Sequence, residues 1–393
     1  MEAIEMTQTG STAVNSVPLL DVSRENGPFS NQIKDKIGQI VDSGWFIGGP
    51  NCAELEESVA EYCQTEFAIG CASGSDALLL SLMAMGIKAG DEVICPSFTF
   101  FATASCIARL GATPVFVDVD PKTFNVTADL IAAAITPNTK AIIPVHLFGQ
   151  CCDMDSINQL AAVHNIQVVE DCAQSIGASR NGKMAGSMGN VGCFSFYPTK
   201  NLGGMGDAGI ITTNDAELAD RIRLFANHGM RPRYYHQEIG INSRLDAIQA
   251  AVLNIKLTAL PGWTAQRSQN ADRYRKLLNR NGMVSSVTPP TCDSSCHHVW
   301  NQYTIRIPNG RRDTVRAELA ERKISSEIYY PVPLHRQACF SYLGNFDLPV
   351  TDRLAKEVLS LPVFPGMTVQ EQDYVVNSLF EILHGTESQS RAA

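Results

Sequence analysis

The chain has 393 residues, 45% of them hydrophobic and 18% charged. At roughly 100–200 residues per domain, that length predicts two or three domains, or one large domain with a smaller companion. Wholesale disorder is excluded. Thirty-one Lys+Arg against 40 Asp+Glu leave a net charge of −9. This argues against a general nucleic-acid surface, but a small anionic ligand held by local donors remains possible.

Residues 1–17 and 385–393 are polar and read as flexible tails. The amino-terminal stretch lacks a basic segment followed by an apolar one, so no signal peptide is expected. The longest apolar stretch, near Ala77–Ile87, is broken by Ser81 and is too short to span a membrane. The 12 cysteines are scattered, many within apolar runs, and read as buried thiols rather than a disulfide framework. A cytoplasmic protein with no membrane or nucleic-acid partner is expected.

From residue 92 to residue 226, short β-rich runs alternate with helical patterns. Strands are predicted at Glu92–Cys95, Pro114–Val119, Ala141–Val145, Gln167–Glu170, Gly192–Phe196 and Gly209–Thr213. Helices are predicted at Asp76–Met85, Ala102–Leu110, Thr127–Ala134, Met154–His164 and Asp215–Ala226. Such alternation predicts an α/β fold with a mostly parallel sheet between helices. A ligand then belongs beyond the carboxyl ends of the strands. Two long helices follow, over Arg244–Lys256 and about Ala265–Asn281, and then a linker at Ser285–Ser295. A smaller α+β part is predicted beyond it, with strands at Tyr303–Ile307 and Ser326–Tyr330 and helices at Asp313–Lys323 and Val369–Leu383. The implied division is a large domain over 18–260 and a small one over 261–384.

Four segments put reactive residues at strand ends. In Ser73-Gly74-Ser75-Asp76, small residues open a helix, which suits a phosphate or plain capping by Ser75. In Val168-Val169-Glu170-Asp171, an apolar strand runs into a carboxylate, either a turn residue or a group awaiting a cation. In Phe194-Ser195-Phe196-Tyr197-Pro198-Thr199-Lys200, a lysine lies between an aromatic strand and a glycine run. If its amine is desolvated, it becomes nucleophilic; otherwise it is an ordinary loop lysine. Gly240-Ile241-Asn242-Ser243-Arg244 precedes a helix and offers anion contacts or local capping.

Three patterns are set aside. Gly204-Met205-Gly206-Asp207-Ala208-Gly209 matches a dinucleotide fingerprint, but it runs into the strand Gly209–Thr213 instead of opening a helix. The glycines read as room for tight backbone packing near Lys200. Cys292–His298 lacks a zinc spacing and a second ligand pair, and Cys151-Cys152 is unlike a redox C-x-x-C pair. No metal site is expected.

Taken together, the segments resemble the DegT/DnrJ/EryC1/StrS sugar aminotransferases, which are pyridoxal-phosphate enzymes of fold type I. The resemblance rests on SGSDAL at Ser73–Leu78, PSFTF at Pro96–Phe100, EDCAQSIGA at Glu170–Ala178, FSFYPTKNLGG at Phe194–Gly204, GINSRLDAIQAA at Gly240–Ala251 and YPVPLH at Tyr330–His335. It implies that Lys200 bonds the aldehyde of pyridoxal 5'-phosphate and that Asp171 faces its ring nitrogen. Gln174 would lie near the ring 3-oxygen and Phe100 against the ring face. Gly74, Ser75 and Ser195 would meet the phosphate, as would Asn242 from a neighbouring subunit, which implies a homodimer with shared sites. Arg244 and His335 fall in segments that approach the substrate. The implied reaction alternates pyridoxal and pyridoxamine 5'-phosphate, taking an amino group from glutamate to a nucleotide-linked keto sugar. The wording GMRPRYYH at Gly229–His236, with NSRLDAIQAA, is closer to members acting on 3-keto than on 4-keto sugars. Such enzymes serve amino-sugar and surface-polysaccharide biosynthesis. The alternatives are a catalytically silent pyridoxal-phosphate-binding regulatory protein of the same fold and an NAD-dependent oxidoreductase.

Overall fold

A computed structural model describes residues 14–280 and 282–385. The residues of the two predicted tails at 1–13 and 386–393 lie outside them, as does Asn281 at the predicted end of a helix. Within the amino-terminal stretch read as polar, Val17 is fully buried, and its backbone pairs with Lys323 and Ser325.

The frame is a seven-stranded sheet. In spatial order its strands are Phe67–Cys71, Gly209–Thr213, Val191–Ser195, Gln167–Asp171, Thr139–Ile142, Glu92–Pro96 and Thr113–Val117. Gly209–Thr213 runs antiparallel to both neighbours, and the remaining pairs are parallel. The sheet is therefore mostly parallel and mixed, as the alternating pattern predicts, with strands buried on both faces. Central strands are short runs such as Val-Val-Glu-Asp and Ile-Ile-Thr-Thr, whose residues are nearly all buried. Helix Gly74–Ala84, with the sequence GSDALLLSLMA, is apolar almost all round and makes contacts with four of these strands and two helices. A helix hydrophobic on every side must lie inside.

Most predicted elements fall within two or three residues of their observed bounds. The pattern misses helices Ser30–Ser43 and Pro50–Cys63 and the strand Phe67–Cys71. It also misplaces one strand. Ser326–Tyr330 forms only an isolated bridge between Glu327 and Ser360. The strand that pairs with Tyr303–Arg306 is Val358–Leu361. The chain after Tyr330 reads Pro331-Val332-Pro333, and two prolines lacking N–H groups cannot continue a ladder.

The carboxyl-terminal strands pack with helices Arg312–Glu321 and Val369–His384. They share one apolar cluster with the sheet, which joins Ile94, Val117, Ile142 and Val168 to Tyr303, Ile305, Leu319 and Val375. Among the described residues, no helix is long and apolar enough to cross a membrane.

A buried carboxylate ties the two parts together. Asp118, just beyond strand Thr113–Val117, accepts the backbone N–H groups of Val350 (2.9 Å) and Thr351 (2.7 Å) and the Thr351 hydroxyl (2.7 Å). It thereby satisfies the open donors of helix Pro349–Glu357. Asp118→Ala leaves those donors buried and unmet, so unfolding stability should fall by about 3 kcal/mol. Denaturant titration checks this, and a loss below about 0.5 kcal/mol, the scatter of neutral surface changes, would contradict it.

Candidate active site

The carboxyl ends of four strands converge on one cavity of about 690 Å³. Strand Phe67–Cys71 leads to Ser73-Gly74-Ser75, strand Glu92–Pro96 to Thr99 and Phe100, and strand Gln167–Asp171 to Asp171 and Gln174. Strand Val191–Ser195 supplies Ser195 and then Lys200, and all of these residues line the cavity.

Its small-residue end is built by close approach. Ser73 caps helix Gly74–Ala84, its Oγ accepting the Asp76 N–H at 3.1 Å. The cap is thus Ser73, not Ser75, because the helix starts two residues earlier than Ser75 capping requires. Ser75 is left exposed, with the free N–H groups of the first turn. A Cβ at Gly74 would come within 2.6 Å of the Ser195 Cβ, and one at Gly209 within 2.5 Å of the Ser73 carbonyl carbon. The last glycine of the fingerprint-like run therefore serves this approach. Gly204 and Gly206 leave room for the Gln249 side chain.

At the other end Asp171 is 5% exposed. Its carboxylate accepts the Thr103 hydroxyl at 2.8 Å and the Ala173 N–H at 3.2 Å. Burial pushes its pKa above the usual carboxylate range, while those two donors and the Lys200 charge pull it back. Burial likewise pushes the Lys200 amine down to about 8, with Asp171 acting in the opposite sense. Gln174 is oriented from both sides: its Oε1 accepts the Phe148 N–H at 2.6 Å, and its Nε2 donates to the Tyr330 hydroxyl at 3.3 Å. The Phe100 ring lies 6.2 Å from that of Tyr330.

Behind Asp171 its neighbour Glu170 is fully buried and saturated. It accepts N–H groups from Gly186 (3.0 Å), Met188 (2.7 Å) and Gly189 (2.6 Å), and His146 Nε2 lies 2.8 Å away. The Cys152 N–H donates to His146 Nδ1, so Nε2 carries the proton toward Glu170. With Cys172, these residues form a buried His/Glu/Cys group. Hydrogen bonds already occupy both Glu170 oxygens, which makes the group an anchor for the strand end.

Gly74, Ser75, Phe100, Asp171, Gln174, Ser195 and Lys200 thus come together, whereas Asn242, Arg244 and His335 do not line the cavity. Asn242 and Arg244 are exposed. His335, expected near the substrate, is buried: its Nδ1 lies 2.7 Å from the Ser97 Oγ and its Nε2 3.3 Å from Asp352. It fastens the YPVPLH segment to the PSFTF loop. Sequence reading missed Thr103, which lies one turn past Thr99 and reaches Asp171. It also missed Tyr329, Gln302 and Glu327, which enter the lining from distant parts of the chain.

The other predicted exclusions have structural grounds. The fingerprint-like glycines enter an antiparallel strand. His298 is buried and stacked on Trp300 with ring centroids 3.8 Å apart, and burial pushes its pKa down to about 3.

The profile of the DegT/DnrJ/EryC1/StrS aminotransferase family matches residues 29–380. The chain belongs to that family. It is 47% identical over 368 residues to a Geobacillus stearothermophilus protein named "Pleiotropic regulatory protein", covering 93% of this chain and 98% of that one. It is 43% identical to the UDP-N-acetyl-3-dehydro-alpha-D-glucosamine 3-aminotransferase of Acidithiobacillus ferrooxidans, covering 95% of this chain and all of that one. Among solved structures it resembles S. venezuelae DesV in complex with a ketimine intermediate. That likeness has a TM-score of 0.90 at 38% identity, covering 94% of this chain and 99% of DesV.

The lysine yields a direct test. In cofactor-free protein, modification of Lys200 by a small aldehyde with borohydride should rise with a midpoint near pH 8, well below the ordinary value of about 10.4. Because Asp171 raises that pKa, Asp171→Asn should move the midpoint lower still. A midpoint near 10, or an upward shift in the variant, contradicts the geometry.

Proposed function

We propose that this chain is a pyridoxal-phosphate aminotransferase that delivers an amino group from glutamate to the keto carbon of a nucleotide-linked sugar, a 3-keto rather than a 4-keto one. The observation that carries the reading is the pairing, in one cavity, of a desolvated lysine with a buried carboxylate that lacks a full set of donors. Family membership supports it. So do relatives named for aminating 3-keto sugars, among them the UDP-2-acetamido-2-deoxy-3-oxo-D-glucuronate aminotransferase of Pseudomonas aeruginosa.

The residues present fit the cofactor. Asp171 is buried with two neutral donors and calls for a cation, which a protonated ring nitrogen provides. The Gly74–Ser195 approach leaves backbone N–H groups and hydroxyls where a phosphate is wanted, at a helix amino terminus. Gln174 Nε2 is held for a ring oxygen, and Phe100 for the ring face. When bound, pyridoxal phosphate supplies an electron sink next to the substrate nitrogen.

The chain's own residues then do the following. With a pKa near 8, about a tenth of Lys200 is the neutral amine at pH 7, against a few in ten thousand at the ordinary value. That amine is the group that would hold the cofactor's aldehyde, and as a free base its Nζ would accept and return a proton at the reacting carbon. Asp171 would face the ring nitrogen, where its carboxylate would favour the protonated ring. The strands fix both groups, so neither needs to reorganise during the reaction.

We assign the partner as a second copy of the chain. Support comes from exposed apolar residues beside the segment that holds Asn242: Trp45, Phe46 and Ile47 on one side and Tyr234, Tyr235 and Ile239 on the other. The Phe46 carbonyl accepts the Ala247 N–H at 2.8 Å, and Ile47 pairs with Asp246. A homodimer covering this patch brings Asn242 to the partner's phosphate end.

The regulatory name of the Geobacillus relative favours a second reading, a silent pyridoxal-phosphate-binding protein. One experiment separates the two. Purified protein incubated with pyridoxal phosphate should turn yellow, borohydride should fix the cofactor, and glutamate should convert it to pyridoxamine phosphate. Lys200→Ala should lose the fixed band and slow turnover by about 10²–10⁴-fold. A yellow protein inert to every amino donor supports the silent reading, and a colourless protein overturns both.

The shared site makes a separate prediction. Asn242→Ala should weaken cofactor retention, and mixing Lys200→Ala subunits with Asn242→Ala subunits should restore activity in dimers that carry one intact site. Activity that never exceeds the sum of the two variants contradicts it.

A further inference from the structure

Lys200 sits in a loop whose backbone folds back on itself, while the adjacent Asn201 side chain is tied to the Val299 carbonyl and to Asn301. The Lys200 N–H donates to the Tyr197 carbonyl at 2.8 Å, and the Gly204 N–H to the Phe196 carbonyl at 2.8 Å. A Cβ at Gly203 would run into the Pro198 carbonyl, so the loop turns back on itself without a gap. Such a turn is held by what meets its outer side.

Two residues of one helix meet it. In helix Ala247–Leu257, Gln249 Oε1 accepts the Met205 N–H at 2.8 Å. Two turns later on the same face, Lys256 Nζ donates to the Gly203 carbonyl at 2.5 Å. Lys256 is fully buried, and its ammonium lies 5.7 Å from the Trp263 ring centroid. Burial lowers its pKa, and the charge of Glu25, a residue 2% exposed that also pairs with Arg267 at 3.4 Å, acts in the opposite sense. A buried ammonium is costly to hold, and this one spends its protein hydrogen bond on a carbonyl three residues from Lys200.

We propose that Lys256, together with Gln249, is a positioning residue that fixes the Lys200 loop from outside the cavity. It acts through the Gly203 carbonyl and touches neither cofactor nor substrate. The assignment rests on Lys200 being the reacting amine.

The test uses Lys256→Met, which keeps the length of the side chain and removes the ammonium. In cofactor-free protein, amide exchange across residues 197–205 should accelerate about tenfold while the central strands remain protected. The Lys200 modification midpoint should shift from its wild-type value, and in the loaded enzyme kcat should fall while the KM for the donor stays within about twofold. Lys256→Arg, which restores a cation, should recover part of the loop protection. Unchanged exchange over 197–205 with an unchanged midpoint overturns the proposal, and so does faster exchange throughout the chain, which marks a merely structural role. If Lys256→Met does not fold, Gln249→Ala decides by the same exchange and midpoint readouts. Failure of the underlying reading appears separately, as wild-type protein without a borohydride-fixed band, and leaves the exchange result standing.

Discussion

The site depends on a carboxylate buried without enough donors. Along strand Gln167–Asp171 successive side chains face opposite sides, so Glu170 and Asp171, adjacent in sequence, end in different surroundings. Glu170 meets three backbone N–H groups and a histidine, while Asp171 meets one hydroxyl and one N–H. The saturated residue pins the strand end, and the under-satisfied one is held where it must find a cation. Leaving a buried charge without a partner typically costs several kcal/mol, so Asp171 calls for a cation at this place. The same desolvation brings the Lys200 amine toward neutrality. One physical cause thus prepares both the electrostatic anchor and the nucleophile.

The opposite end of the cavity is governed by space rather than charge. Gly74 against Ser195 and Gly209 against Ser73 draw three strand ends close enough for N–H groups and hydroxyls to converge. Local convergence explains why a chain of net charge −9 can hold an anionic group. It also gives the glycine run at Gly204–Gly209 a role unrelated to dinucleotides. Its final glycine begins an antiparallel strand whose direction brings the small-residue turn at Ser73-Gly74 and the lysine loop to one end of the sheet.

What the sequence made legible follows from this division. Asp171, Ser195 and Lys200 stand at or just past strand ends, and alternating strands and helices reveal strand ends. Thr103, Gln302 and Tyr329 were not legible, because they owe their positions to packing between segments far apart in the chain. His335 illustrates a different limit. A histidine after Tyr-Pro-Val-Pro-Leu reads as a group approaching substrate, yet in the fold its ring meets Ser97 and Asp352. Its position still bears on the site, because Ser97 belongs to the loop that carries Phe100. The strand Val358–Leu361 escaped notice because Val-Leu-Ser-Leu directly after a charged helix is too short to show a period of its own.

The stretch Gly240–Leu257 shows how a motif's spacing becomes mechanical once its contacts are known. From Asn242 to Asp246 exposure alternates residue by residue, as an extended segment requires: Asn242, Arg244 and Asp246 face out, and Ser243 and Leu245 face in. The inward Ser243 accepts the Ala72 N–H at 3.1 Å, one residue before the turn that opens the phosphate end. The helix then begins, the period changes, and Gln249 and Lys256, seven residues apart, fall on the face that meets the lysine loop. A single continuous segment therefore touches the phosphate end and the lysine loop of its own chain while presenting Asn242 outward. The placement of the turn before Ser73 and the hold on the Lys200 loop are in this way properties of the same eighteen residues.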